Sequence, residues 1–156
     1  MKKIMIYDTV IGKLAIIATD DAVTNLYFGT NEFPDCAKEE TTLHKKAICE
    51  LQEYFAGKRK EFTVPLNPQG TPFQLKVWRA LETITYGNVV SYKDIAKKIG
   101  CEKGYRAVGN ANGKNPLPIF IPCHRVIAGN GKLGGFSCGL DMKVKLLDIE
   151  SVKIKS

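Results

Sequence analysis

The chain has 156 residues, 44% hydrophobic and 25% charged, which suits one domain or two small ones with a buried core. It has no apolar run of about eighteen residues and no apolar leader, so we expect neither a membrane span nor a signal peptide. The chain has five cysteines, no Cys-x-x-Cys motif and no recognisable secretion signal. This pattern indicates free thiols in a reducing compartment and predicts a cytoplasmic protein.

The net charge of +7 is unevenly distributed. Residues 1–69 hold 9 Lys+Arg and 10 Asp+Glu, whereas residues 70–156 hold 14 Lys+Arg and 6 Asp+Glu. A basic half is expected of a protein that binds a polyanion, most simply a nucleic-acid backbone. A solvated basic surface without a partner would have the same composition.

The first half predicts a small α/β domain. Apolar runs on either side of Asp20-Asp21 indicate a strand hairpin within residues 2–28. Apolar periodicity predicts an amphipathic helix over Glu39–Ala56, and alternation predicts a short strand over residues 62–66. The turn formers at 67–70 then place a boundary between domains 1–68 and 70–156.

Two capping boxes mark helix starts in the second half. TPFQ at 71–74, with proline at the first helical position, predicts a helix to about Thr83. SYKD at 91–94 predicts a second helix that ends at Gly100. A third short helix over Tyr105–Gly113 follows it after a short link, which is typical of a helix-turn-helix.

The helix at Tyr105–Gly113 is rich in small residues. A glycine inside a helix costs about 1 kcal/mol relative to alanine, so its glycines need an explanation. Close approach to DNA and close packing against another helix both explain the pattern. With few side chains for base edges, the helix would bind double-stranded DNA with little sequence preference, through the minor groove. The residues expected to contact DNA are Arg106, Ala107, Gly109, Ala111, Asn112 and Arg125.

The segment NPLPIFIPCHRV, residues 115–126, joins an apolar run to a Cys-His-Arg triplet. Its internal prolines argue against a helix or a central strand, so we expect a buried extended stretch that turns at Cys123. Cations at His124 and Arg125 would lower the pKa of the neighbouring thiol and favour the nucleophilic thiolate. A small buried cysteine without a chemical role would have the same local sequence.

A glycine-rich loop at 128–137 follows, and it could fold over the thiol and offer backbone N–H groups to a planar ligand. A last helix is predicted over Leu140–Ser151. Its Glu150 lies at the edge of the apolar face, where a carboxylate needs a partner, and His124 is one candidate. The residues that this helix is expected to bury are Leu140, Val144 and Leu147.

Metal binding has little support in the sequence. The chain has only two histidines, His44 and His124, and the one conceivable cluster combines His44 with Cys36 and Cys49. We therefore expect neither a metal nor another cofactor.

The motif PCHRV at 122–126 resembles the active-site signature of the O6-alkylguanine-DNA alkyltransferases, also called methylated-DNA–protein-cysteine methyltransferases. The similarity covers residues 70–156 and includes TYGNVVSYKDIA, RAVGNANGKNP and the glycine-rich loop. It implies an α+β chain with a small ribonuclease-H-like N-terminal domain. The second domain would be a mostly helical, winged-helix-like DNA-binding domain that carries the active-site cysteine.

The resemblance also implies the roles of the reacting groups. Cys123 would accept the alkyl group, and His124 would deprotonate it through a water. Glu150 would orient His124, and Asn115 would hold the active-site turn.

Further roles concern the base and the DNA. The resemblance implies that the hydroxyl of Tyr92 serves the flipped guanine while its ring presses against the DNA backbone. It also implies that Arg106 fills the gap left in the duplex. Some relatives carry a tyrosine where this chain has Phe136, so a hydroxyl contact is missing there. The substrate pocket would be formed by Tyr92, Pro118, Gly135, Phe136 and Ser137.

The function implied is direct reversal of DNA damage by a monomer. An alkyl group would pass irreversibly from O6-alkylguanine, and from O4-alkylthymine, to Cys123, once per molecule. Two alternatives follow from the residues alone. The chain could be a cysteine-dependent hydrolase, which leaves the basic half unexplained, or a helix-turn-helix DNA-binding module with an incidental thiol.

Overall fold

The computed structural model describes residues 1–29, 33–136 and 138–153. The chain divides into two units, Met1–Gln69 and Gly70–Ser156. Ser137, expected in the substrate pocket, lies outside the described residues. Within the described residues, no helix combines the length and apolarity needed to cross a bilayer.

A four-stranded sheet covered by one helix forms the first unit. The elements are β1 (Lys3–Thr9), β2 (Gly12–Ala18), β3 (Val23–Phe28), β4 (Ala37–Lys38) and α1 (Thr42–Phe55). The strand order is β3-β2-β1-β4, antiparallel except for the parallel β1–β4 pair. The predicted hairpin at Asp20-Asp21 is confirmed, because β2 and β3 pair on either side of it. Helix α1 packs against β2 and buries Leu51 and Tyr54 completely.

The predicted start of the first helix at Glu39 is wrong by three residues. Thr41 caps α1, and its hydroxyl oxygen accepts a hydrogen bond from the backbone N–H of His44. The imidazole of His44 in turn accepts the backbone N–H of Thr41 at 3.1 Å, which completes a capping box. Glu39 lies outside the helix and pairs with Lys3.

The predicted strand at 62–66 is also wrong, apart from one isolated bridge between Leu66 and Val23. The buried carboxylate of Glu50 accepts the backbone N–H groups of Thr63 and Val64 at 2.9 and 3.1 Å. In a β-sheet, these backbone N–H groups would donate to carbonyl oxygens of a neighbouring strand. Here the Glu50 side chain accepts their hydrogen bonds instead.

His44 belongs to the core of the first unit and not to a metal site. Its buried Nε2 lies 3.1 Å from the carbonyl oxygen of Lys3 and 3.2 Å from that of Ile16. No group of three or more His, Cys, Asp and Glu side chains arranged to hold a metal ion occurs in the described ranges.

The second unit is mostly helical. Its elements are α2 (Pro72–Leu81), β5 (Val90–Ser91), α3 (Tyr92–Lys98), α4 (Tyr105–Gly113), β6 (Val126–Ile127, parallel to β5) and α5 (Leu140–Ile149). Helices α2 and α3 both pack against α4, around the buried residues Val77, Trp78 and Val108. Both predicted capping boxes are confirmed, Thr71 with Gln74 and Ser91 with Asp94.

Helix α5 buries a different face from the predicted one. Leu147 is buried as expected, but Leu140 and Val144 are 48% and 40% exposed. Lys143 and Leu146 take their places in the core. Lys143 can be buried because its amine donates hydrogen bonds to three backbone carbonyl oxygens inside the unit.

Candidate active site

The segment before Cys123 is a buried turn braced by one amide side chain. Asn115 donates from Nδ2 to the carbonyl oxygen of Ile121 at 2.8 Å and accepts the backbone N–H of Leu117 at 3.0 Å. Between these contacts, Ile119 adopts φ 75°, a left-handed conformation that is costly for a β-branched residue. Asn115 therefore braces a strained turn that delivers the chain to Cys123.

Cys123 begins a short 3-10 turn that spans Cys123–Arg125, and it is 2% exposed. Burial raises the pKa of its thiol to about 12, while a hydrogen bond from Asn115 and the charge of Lys143 work in the opposite direction. The expectation that His124 and Arg125 lower this pKa is wrong, because both side chains are paired with Glu150. The buried thiol must therefore lose its proton before it can act as a nucleophile.

Glu150 collects several donors at the C-terminal end of α5. Its Oε2 lies 2.6 Å from Nε2 of His124, and its Oε1 accepts Nε of Arg125 at 2.9 Å and the backbone N–H of Gly87 at 3.0 Å. The Arg125 guanidinium also donates to the carbonyl oxygen of Ile84 at 2.6 Å. The carboxylate of Glu150 therefore joins three segments: the end of α5, the connection between α2 and β5, and the 3-10 turn. All three side chains are buried: His124, Arg125 and Glu150.

This network sets the charge states of its members. Burial alone would raise the pKa of Glu150, but hydrogen bonds from His124 and Arg125 outweigh it and hold the pKa at about 2. Burial lowers the pKa of His124 despite the contact with Glu150, so the imidazole is neutral at neutral pH. With Nε2–H donated to the carboxylate, Nδ1 carries the lone pair and is the basic atom of His124.

Tyr92, the first residue of α3, meets the glycine-rich loop. Its hydroxyl donates to the carbonyl oxygen of Gly135 at 3.3 Å. Gly134 has φ +71°, and a Cβ there would lie 3.2 Å from the Tyr92 hydroxyl. Only glycine suits a position that is both left-handed and this close to a ring.

The glycines of α4 are not required by packing inside the unit. A Cβ on Gly109 would lie 3.8 Å from the Tyr92 ring, an ordinary contact, and a Cβ on Gly113 would meet nothing within 4 Å. Of the two explanations for this small-residue surface, close helix packing is therefore not supported. Arg106 and Ala107 are exposed on the same helix, as contact with an external partner requires.

An open cleft of about 360 Å³ lies between α4 and the glycine-rich loop. Asn112 lines it and donates from Nδ2 to the carbonyl oxygen of Cys123 at 3.4 Å, which links the cleft to the backbone of Cys123. Pro118, also expected in the pocket, is buried in the turn before Cys123 and does not line this cleft. The other lining residues are Tyr92, Gly109, Asn110, Gly113, Lys114, Gly135 and Phe136.

Three residues expected to contact DNA are buried instead. Arg125 is paired with Glu150, and Ala111 faces α2, where its carbonyl oxygen accepts Nε1 of Trp78 at 2.8 Å. Asn112 is 4% exposed and bound to the backbone of Cys123. Their side chains cannot reach a phosphate or a base edge from these positions, so the expectation is corrected for all three.

Sequence reasoning missed Lys143, which is completely buried in the wall of the site. A signal was available, because Lys143 lies three residues after Leu140 and four before Leu147, on the face that was predicted to be apolar. A lysine at such a position indicates either an error in the helix phase or a buried amine with partners.

Comparison with known proteins gives the same division of the chain. Residues 72–152 match the family model described as 6-O-methylguanine DNA methyltransferase, DNA binding domain. Residues 3–68 match the model described as 6-O-methylguanine DNA methyltransferase, ribonuclease-like domain. The predicted α+β fold class, with a ribonuclease-H-like first domain, is thereby confirmed.

Individual relatives agree over almost the whole chain. The constitutive methylated-DNA–protein-cysteine methyltransferase of Bacillus subtilis is 46% identical and covers 95% of this chain and 94% of its own. The Methanosarcina acetivorans protein of that name is 43% identical, with 93% and 96% covered.

Solved structures extend the agreement to three dimensions. The Mycobacterium tuberculosis O6-methylguanine methyltransferase superposes with a TM-score of 0.88 at 40% identity and covers 96% of this chain and 93% of its own. A structure of the M. tuberculosis protein in complex with DNA gives 0.86 at 40% identity, with 96% and 91% covered. The two family models, the relatives and the buried Cys-His-Glu arrangement lead to one conclusion: the chain belongs to the methylated-DNA–protein-cysteine methyltransferase family.

Proposed function

We propose that this protein repairs alkylated DNA by direct reversal, moving the alkyl group of O6-alkylguanine or O4-alkylthymine irreversibly to Cys123. The observation that carries the proposal is that the buried Cys123 directly precedes a neutral His124, which is hydrogen-bonded to the ionised carboxylate of Glu150. The family shown above supports the same reaction.

The chemistry is a displacement at carbon. The thiol proton passes through a water to Nδ1 of His124, and the thiolate sulfur forms a bond to the alkyl carbon. The carbon–oxygen bond breaks, its electron pair goes to the base oxygen, and the base recovers one proton. Glu150 stabilises the imidazolium that forms in between, and Tyr92 stabilises the negative charge that develops on the base. The product is a thioether, which water does not cleave at a useful rate, so each molecule acts once.

The lesion cannot react inside a stacked duplex, so the base must rotate out, which costs a few kcal/mol. We propose that Arg106 fills the gap, because it is exposed on α4 and has a planar, cationic head. The exposed small residues of α4 suit close approach to the sugar–phosphate walls of the minor groove. They offer few hydrogen bonds to base edges, so binding should show little sequence preference.

The remaining parts of the proposal concern organisation. We propose that the protein acts as a monomer in the cytoplasm, where its five thiols stay reduced. We also propose that residues 70–156 form the domain that binds DNA and transfers the alkyl group, and that residues 1–68 form a separate domain. The roles of Cys123, His124, Glu150, Asn115 and Tyr92 at the site are part of the same proposal.

The test is intact mass spectrometry after incubation with a duplex that contains one O6-methylguanine. We expect a gain of one methyl group, located on Cys123 by peptide mapping, and no further consumption of the lesion once every protein molecule is modified. The matched control is Cys123→Ser, which should bind the duplex and remain unmodified. Loss of the lesion with an unmodified Cys123 peptide, or catalytic release of product, would contradict the proposal and favour a hydrolase. Full repair by Cys123→Ser would make the thiol incidental.

A further inference from the structure

Lys143 is the one buried charged side chain of α5, and the reaction described above does not use it. Its side chain is 0% exposed, and its Nζ donates to three backbone carbonyl oxygens. The distances are 2.7 Å to Val126, 2.5 Å to Leu133 and 3.0 Å to Gly135. An ammonium group has three N–H donors, so this set of acceptors uses all of them.

The three acceptors belong to two different segments of the site. Val126 directly follows the 3-10 turn that contains Cys123, whereas Leu133 and Gly135 belong to the glycine-rich loop. That loop contains Gly131 and Gly134, both with positive φ. The ammonium therefore ties the glycine-rich loop to the strand that follows the Cys123 turn.

The Gly135 carbonyl has a second donor. It accepts the Tyr92 hydroxyl at 3.3 Å as well as Nζ of Lys143 at 3.0 Å. A carbonyl oxygen has two lone pairs, so both bonds can form together. If the Tyr92 hydroxyl turns to an incoming base, the Gly135 carbonyl still accepts a hydrogen bond from Lys143.

We propose that Lys143 is a positioning residue of the transfer reaction: its ammonium fixes the glycine-rich loop against the Cys123 turn and frees the Tyr92 hydroxyl for the substrate base. This inference rests on the proposed function, since it concerns the same site and the same reaction.

The charge of Lys143 supports this arrangement. Burial lowers the pKa of the amine to about 8, which still leaves the ammonium as the main form at neutral pH. The positive charge is also close enough to Cys123 to lower the pKa of the thiol. The amine thus remains a three-fold donor while the thiol gives up its proton.

The experiment compares Lys143→Ala with Lys145→Ala, because Lys145 is an exposed lysine on the same helix. Two quantities are measured on the full chain: the dissociation constant for an unmodified duplex, and the single-turnover rate of methyl transfer from a duplex with one O6-methylguanine. Lys143→Ala should bind DNA as wild type does, whereas its transfer rate should fall by about 10- to 100-fold, as expected when a wall of the site is misplaced. Lys145→Ala should match wild type in both.

Rescue by a small amine separates positioning from general damage to the fold. The n-propylammonium ion has the atoms that Lys143→Ala removes, so it should restore transfer in a saturable way. Tetramethylammonium, which has no N–H donor, should not. If Lys143→Ala does not fold, Lys143→Met, which keeps the chain length without the ammonium, should show the same loss of transfer.

Several outcomes would overturn the inference. One is a wild-type transfer rate in Lys143→Ala or Lys143→Met. Another is a folded Lys143→Ala whose transfer rate n-propylammonium does not restore, or whose rate both cations restore equally. Failure of the proposed function is distinguishable, because wild type and Lys145→Ala would then not transfer the methyl group at all.

Discussion

The carboxylate of Glu150 lies 2.6 Å from Nε2 of His124, and both side chains are fully buried. Arg125 donates to the same carboxylate at 2.9 and 3.1 Å. One carboxylate therefore fixes the tautomer of His124, the proposed base, and neutralises the buried guanidinium of Arg125, so its removal should affect both reactivity and folding.

Glu150→Gln is the direct test of this double role. We expect the free energy of unfolding to fall by about 3 kcal/mol, because the substitution leaves Arg125 as a buried charge without its counter-ion. The transfer rate should fall by about 100-fold, in the range expected when a general base loses its orienting partner. Urea unfolding and single-turnover transfer measure the two effects. The matched control is the exposed Glu102→Gln, and a stable, fully active Glu150→Gln would show that the network is dispensable.

The pH dependence of stability follows from the same contacts. The pKa of Glu150 is about 2 in the folded protein against 4.5 as its ordinary value, and the pKa of His124 is lowered from 6.5. Because both values are lower in the folded state, their contribution is complete above about pH 6.5 and is lost as the pH falls. We expect the urea midpoint to decrease from pH 7 to pH 5 and again below pH 4.5.

The contribution of the imidazole to this profile can be isolated. In His124→Gln, the decrease between pH 7 and pH 5 should shrink, while the decrease below pH 4.5 should remain. A wild-type urea midpoint that rises between pH 7 and pH 5 would contradict the assigned direction of the His124 shift.

Arg106→Ala tests the proposed gap-filling side chain. Transfer from a paired duplex should fall by about 10-fold or more, because the extruded base would leave a hole that costs a few kcal/mol to keep open. Transfer from single-stranded DNA, which has no such hole, should change much less. Arg79→Ala, an exposed arginine on α2, is the control for loss of positive charge. Equal losses on both DNA forms would assign Arg106 to general backbone binding.

Gly109→Ala should separate folding from DNA binding. The added Cβ would have room in the structure, and alanine favours the helix by about 1 kcal/mol, so stability should rise. Affinity for duplex DNA should fall if the bare backbone of α4 approaches the groove. Urea unfolding and a binding titration at fixed salt measure these opposite effects, with Gly129→Ala as a loop control. Unchanged DNA affinity would place the contact surface elsewhere.

Local signals in the sequence predicted local structure well. The two capping boxes located the starts of α2 and α3 because their hydrogen bonds join residues three positions apart. The expected turn at Cys123 in the PCHRV motif is likewise present, since the motif is contiguous. Features that depend on short stretches of chain were therefore accessible before the fold was known.

Features that depend on distant partners were not accessible in this way. The strand expected at 62–66 does not form, because backbone N–H groups of this segment donate to the carboxylate of Glu50, more than ten residues earlier in the sequence. Arg125 seemed available for DNA because nothing nearby in sequence indicated its pairing with Glu150. Lys143 disrupted an otherwise apolar face because its three acceptors belong to a loop and a strand that precede α5. In each case a tertiary contact overrode the local pattern.

The position of Glu150 at the C-cap of α5 has a consequence for biosynthesis. A ribosome makes Cys123 and His124 well before it adds the residue that orients the imidazole. The nascent polypeptide therefore holds Cys123 without the carboxylate partner of His124 until α5 has emerged and docked. Under the proposed mechanism, termination between residues 125 and 149 would yield a product that keeps the cysteine and the histidine but not the carboxylate that orients the base.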